Sequence, residues 1–228
     1  VEEVRQIREE LKLAVEHFNE WVNANHSSVQ IKEGNVDDCG YPEWQKFEDL
    51  CEQIFTGSSF NELEISDKKR IIFIIGRQWD LGSILNWFNK GTEEIGQLGM
   101  TKEQLFELSK IAVKEDDSDA KGQFAASLFK VGNSPDVVEL LLKFHADQDE
   151  YVRRQALGSL QKVGYSKIGN LIIESWKHNE EFERMMCLNM MADLNHDKFE
   201  TCLEEALSDK REHLRERAIE LKNIDNTM

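Results

Sequence analysis

Proline is nearly absent from this chain. Only Pro42 and Pro135 occur in 228 residues, and so few helix breakers favour long helices over a strand-and-turn fold. Long apolar runs are missing too. None approaches the ~18–20 residues needed to cross a bilayer, so no membrane partner is expected. The first residues, Val1 to Val4, are acidic and amphipathic rather than a basic leader followed by an apolar stretch; a first residue other than Met leaves a removed leader open. Cysteine is scarce and unpatterned, since Cys39, Cys51, Cys187 and Cys202 show no CxxC or zinc-type spacing. Cys187 and Cys202 stand in apolar positions and read as buried reduced thiols, which places the protein in a reducing cytoplasm.

Positive charge is also in short supply. The chain carries 44 acidic and 28 basic side chains, net −16. Binding to a phosphate backbone draws on clustered Lys and Arg, so nucleic acid is not an expected partner. The imbalance is uneven: residues 1–65 come to −10, residues 66–98 to +1 and residues 99–228 to −7.

Catalytic signatures are lacking as well. There is no GxSxG, Walker or GxGxxG pattern. His145, His178, His196 and His213 are scattered without HExxH spacing. The run from Asp116 to Asp119 lacks the ligand order of a calcium loop and reads as an acidic helix start. The expectation is a protein that is not an enzyme and holds no metal or cofactor.

What is present is a repeat. A block of about 31 residues recurs four times in the second half. One column holds Ala125, Ala156, Cys187 and Ala218, and the next holds Ala126, Leu157, Leu188 and Ile219. Three positions before the small residue stand Gly122, Arg153, Arg184 and Arg215. A preceding helix repeats in step: Val137, Leu140, Leu141 and Phe144, then Ile168, Leu171, Ile172 and Ser175, then Phe199, Cys202, Leu203 and Ala206. Such a period belongs to stacked helical hairpins, none of which buries its apolar face alone.

Before the array, residues 2–25 form one amphipathic helix with Ile7, Leu11, Ala14, Phe18 and Val22 on a single stripe. A polar loop runs from His26 to Tyr41, and Pro42 is placed to open a second helix that Gly57 ends. The run Ile71 to Ile75 is β-branched but has no second strand to pair with, so it reads as helix capped by Ser66 or Asp67. A partner helix is expected over residues 79–89, then a break at Gly91, Gly96 and Gly99. The domains are therefore residues 1–98, a helical N-terminal region, and 99–228, the array. Within the array, Thr101 with Gln104 makes a capping box, Asp117–Ser118 opens the next helix, and Ser134 with Pro135 opens the one after.

The segment with Asp149, Val152, Arg153, Ala156 and Leu157 resembles the second helix of a HEAT repeat. Leu214, Arg215 and Ala218 resemble it nearly as well, while Arg184 and Cys187 match around Glu183, which stands where an apolar residue is expected. The resemblance covers roughly residues 100–224. It implies an all-α, right-handed α-α superhelix with a helical capping region, and a concave face lined by the second helices. It also implies that Asp147, Arg153, Arg184, Asp209 and Arg215 bond across loops and between units. HEAT folds host many functions. One is DNA glycosylase chemistry, for which Trp79, Asp80, Trp87 and Trp176 could supply aromatics and an acid; the negative charge opposes it. A small acidic protein of this kind is similar to bacterial immunity proteins that neutralise basic nuclease toxins. The leading expectation is therefore non-enzymatic binding of a basic protein, with a general scaffold as the alternative.

Residues 33–64 hold nine acids and one lysine among aromatic side chains. Aromatic anchors ringed by carboxylates suit capture of a basic protein surface. The candidate contacts are Asp37, Asp38, Tyr41, Glu43 and Trp44, with Asp149, Glu150, Glu180, Glu181 and Glu183 in the array. Trp44, Phe47 and Phe55 also fit the core side of an ordinary helix.

Overall fold

A computed structural model describes residues 2–32, 40–77 and 99–225. The expected helix over residues 79–89 and the break at Gly91 and Gly96 lie outside the described residues, as do Asp37, Asp38, Trp79, Asp80 and Trp87. The protein is all-helical; among the described residues there is no strand. Its packing divides the chain into two compact units, Val1–Val131 and Gly132–Met228.

In the first unit, α1 (Glu2–Asn25) buries Ile7, Leu11, Ala14, Phe18 and Val22, the stripe expected from the sequence. A short α2 (Ser28–Lys32) follows inside the segment expected to be loop. It is held by a reciprocal pair of bonds: Ser27 N–H donates to Gln30 Oε1 at 2.9 Å and Gln30 N–H to Ser27 Oγ at 3.2 Å. The next helix, α3 (Trp44–Thr56), begins two residues after Pro42, which lies in a turn rather than at the helix start. Gly57 ends α3, donating its N–H to Gln53 O.

Next comes α4 (Ile65–Arg77), which contains the Ile71–Ile75 run. The helix is apolar on two sides because it is covered on two sides. It packs against α1 and also against α5 (Lys102–Ala112) and α6 (Ser118–Ser127). Ile71, Ile72, Ile74 and Ile75 are all buried, and full burial of each such side chain is worth about 1.5–3 kcal/mol. Polar bonds fix the α4 contacts: Lys68 Nζ to Glu107 at 2.6 Å, Arg77 to Asp117 at 2.7 Å, and Gln123 Nε2 to Ile75 O at 2.7 Å. The first copy of the repeat thus belongs to the same compact unit as α1–α4. Thr101 and Gln104 form the expected capping box of α5, and Asp117 caps α6.

The second unit holds the other three copies. These are the hairpins α7 (Pro135–His145) with α8 (Glu150–Lys162), α9 (Ile168–His178) with α10 (Glu181–Asp193), and α11 (Phe199–Leu207) with α12 (Glu212–Asp225). Ser134 caps α7 by accepting from Val137 N–H, with Pro135 in the first turn. The second helices α8, α10 and α12 pack side by side. Closeness there depends on the small column, since Ala156, Cys187 and Ala218 are completely buried. In the neighbouring column Leu157 and Leu188 are buried while Ile219 is 46% exposed. The column Phe144, Ser175, Ala206 is buried throughout; the one hydroxyl in it, Ser175 Oγ, is satisfied by His145 Nε2 at 2.9 Å.

Two of the hairpin ends share a turn. Tyr165 N–H donates to Leu160 O and His196 N–H to Met191 O, with Gly164 (φ 70°) and Asn195 (φ 47°) in left-handed conformation between them. This is the Schellman arrangement, which satisfies the last carbonyls of α8 and α10.

Candidate functional site

The repeat arginines do structural work within the second unit. Arg153 donates from Nη1 to Asp147 O at 3.2 Å and Gln148 O at 2.7 Å. Arg215 repeats the same offsets onto Asp209 O and Lys210 O. Arg184 donates from Nε to Trp176 O at 2.9 Å and lies over the Trp176 ring, with Asp209 3.7 Å away. Asp209 also binds Arg211, whose bonds hold its carboxyl well below the usual carboxylate range.

Four of the five acidic candidates of the array are engaged within the second unit. Asp149 caps α8, accepting from Tyr151 N–H at 2.8 Å. Glu150 pairs with Arg154 at 3.1 Å; burial pushes its carboxyl upward despite that arginine. Glu180 stands at the start of α10 with no side-chain cap bond, and Glu181 accepts from Leu214 N–H at 3.3 Å. Glu183 is completely buried, so it is no surface contact. Its Oε2 receives Arg153 Nη2 at 2.8 Å and its Oε1 faces His178 Nδ1 at 3.0 Å. Burial alone would raise this carboxyl, but the bonds from Arg153 and His178 outweigh it and hold the group below its ordinary value. An acid in the apolar column is thus an internal tie between two hairpins.

In the first unit the candidates separate. Tyr41 is only 5% exposed. It sits in a cluster of rings, with centroids 5.0 Å from Phe18, 5.5 Å from Trp21, 5.5 Å from Trp44 and 5.6 Å from Phe47. Burial, and then the neighbouring Glu43, pushes its hydroxyl up to about 12. Tyr41 is therefore a core ring and not an exposed contact. Phe47 and Phe55 are buried, Trp44 is half-buried, and Glu43 remains partly exposed beside Lys46 at 3.4 Å and His17 at 3.9 Å.

Between the last turns of α1 and the turn before α3 lies an open cavity of about 410 Å³. Its walls include His17, Glu20, Trp21, Tyr41, Pro42 and Glu43. Trp21 is half-buried and held by ring contacts to Tyr41, to Phe18 at 6.3 Å and to His26 at 5.5 Å. His17, Glu20 and Trp21 did not emerge from the sequence as site residues. The signal available was their position: 17, 20, 21 and 24 follow helical spacing just beside the buried stripe of α1.

A second concavity, about 240 Å³, is lined by Arg5, Arg8, Lys12 and Arg70 with Glu9 and Asp67. It is not an anion site, because its cations are already matched. Asp67 is buried against Arg8 at 2.9 Å and Arg70 at 2.7 Å, Arg8 also meets Glu64 at 2.8 Å, and Arg5 meets Glu2 at 2.6 Å. Lys12 lies 4.0 Å from both Glu9 and Glu16.

Among the described residues no group of three or more His, Cys, Asp or Glu side chains is arranged to hold a metal ion, and no helix is long and apolar enough to cross a membrane. Cys51, Cys187 and Cys202 are free and buried, and burial pushes their thiols upward, that of Cys51 to about 12 and that of Cys202 to about 11. Such thiols are poor nucleophiles. Comparison of the chain with protein-family models, curated proteins and solved structures finds no match.

Proposed function

We propose that this protein is a non-catalytic binding module on HEAT-like hairpins, and that its partner is a basic protein. Within that class it acts as an immunity-type inhibitor, covering the cationic substrate surface of a nuclease-like toxin in a reducing cytoplasm. The observation that carries the reading is the cavity of the first unit, which exposed Glu20 and partly exposed Glu43 line together with half-buried Trp21. It belongs to the part of the chain with the largest acidic excess. The array offers fewer free carboxylates: Asp149, Glu181 and Glu183 accept hydrogen bonds and Glu150 is ion-paired within the second unit, which leaves Glu180 of the five.

Inhibition follows from occlusion. A surface of net negative potential steers a cationic partner into encounter, raising the association rate above the ~10⁵–10⁶ M⁻¹s⁻¹ typical without steering. Rigid aromatic rings then slow dissociation, because an indole already held by neighbouring rings loses little conformational freedom on contact. Long-range attraction is screened within ~8 Å at physiological ionic strength, so association slows steeply with added salt.

The test is capture on the immobilised protein from cells that produce it, at low and then high salt, with mass spectrometry of the retained material. A small basic protein retained in stoichiometric amount and released by salt supports the reading. A large neutral or acidic assembly, indifferent to salt, would replace it with a scaffold.

A further inference from the structure

We propose that the cavity beside Trp21 takes a single arginine side chain of the partner, its guanidinium stacked on the indole and bonded to Glu20 and Glu43. This rests on the basic-partner reading and names the contact within it.

The chemistry of the walls selects the ligand. Glu20 and Glu43 exclude an anion, since either carboxylate would repel it. A neutral apolar side chain would cover both carboxylates and give them no partner. The groups lining the cavity do not form a metal set. A cation remains, and the aromatic wall favours the planar one. Guanidinium is weakly hydrated, stacks on aromatic faces and presents forked donors that match carboxylates, whereas an ammonium is a compact, strongly hydrated point charge.

The site is also preorganised. Trp21 is held by ring contacts to Tyr41, Phe18 and His26, and Gly40 lies beside the indole, where an added Cβ would sit 3.6 Å from Cζ2. Among the described residues the Glu43 carboxylate is ion-paired with Lys46 and His17, across 3.4 and 3.9 Å on partly exposed surface. Bridges of that kind exchange readily for a better donor.

The titration itself needs no partner. The purified protein is titrated with N-acetyl-arginine methylamide, with the isosteric but neutral citrulline amide, and with the lysine amide, following the Trp21 indole N–H by NMR. Saturable shifts confined to Trp21, His17, Glu20 and Glu43 are expected for the arginine probe, with saturation on the order of 1–10 mM. At least tenfold weaker binding is expected for citrulline, and at least tenfold weaker arginine binding in the Glu20→Gln/Glu43→Gln variant, which keeps side-chain size and so keeps the fold. Equal binding of citrulline, a tighter lysine probe, or linear shifts spread over the whole protein would each overturn the assignment. A saturable arginine site in a protein that captures no basic partner would overturn the broader reading alone. A captured basic partner whose affinity ignores the double Gln variant would overturn the cavity alone.

Discussion

Arg153 and Glu183, thirty residues apart in sequence, close an ion pair of 2.8 Å between neighbouring hairpins, with the Glu183 side chain completely buried and that of Arg153 11% exposed. The pair ties α8 to α10 at the column where the repeat elsewhere prefers an apolar residue. Removing one partner leaves the other charge without compensation in the interior. Arg153→Ala is therefore expected to cost about 3–5 kcal/mol, while Arg153→Met with Glu183→Leu together costs far less. Urea unfolding of both variants checks this; equal losses would show that packing, not the buried charge, sets the cost.

The same region makes stability depend on pH. Burial pushes the His145 imidazole below its usual value of 6.5, against the raising influence of Glu183 and Glu174 and with His178 and Arg153 adding to the fall. The folded protein thus binds a proton on His145 less readily than the unfolded chain. Its contribution is complete above the unfolded value and is lost as pH falls through the folded one. Glu183, also depressed, adds a loss that begins below its ordinary value of 4.5. The melting temperature is expected to fall as pH drops through and below 6.5, and again below 4.5. His145→Gln should flatten the upper step; an unchanged decline in that variant would remove His145 from the account.

The Schellman turns offer a backbone test free of packing effects. An added Cβ at Gly164 meets nothing within 4 Å, so Gly164→Ala reports only the left-handed φ of 70° and is expected to cost about 1–2 kcal/mol. Asn195→Gly, at φ 47° in the corresponding turn, should stabilise by up to about 1 kcal/mol. Thermal melts that move the other way at either position would contradict the turn assignment.

Much of this scaffold was legible in the residues. The stripe of α1, the capping box of Thr101 with Gln104, and the start at Ser134 and Pro135 are local devices, and local devices are readable from spacing. Pro42 was misleading: its fixed φ suits a turn as well as a first helical position, and the helix waits until Trp44. The box at Ser27 and Gln30 had the right spacing but no apolar run behind it, so α2 could not be recognised. Glu183 stood out in its column, yet its partners lie five and thirty positions away and meet it only through stacking. The cavity was hidden for a similar reason. Trp21 and Glu20 sit at the rim of one helix, and only tertiary packing brings Tyr41 and Glu43 beside them.

Charge reversal at the cavity separates steering from folding. Glu20→Lys with Glu43→Lys lies on partly or fully exposed positions, so its melting temperature is expected to stay near that of the wild type. Association with the basic partner should slow at least tenfold and lose much of its salt dependence. Wild-type kinetics in this variant would remove the cavity from the encounter surface.

The proposed capture of a basic partner by the acidic first unit makes a kinetic demand that folding alone does not. The most direct measurement is the association rate of the captured partner with the full chain across ionic strength. The expected result is a logarithmic rate that falls steeply as salt rises, with a shallower fall in the Glu20→Lys/Glu43→Lys variant. A rate that ignores salt in both proteins would contradict it.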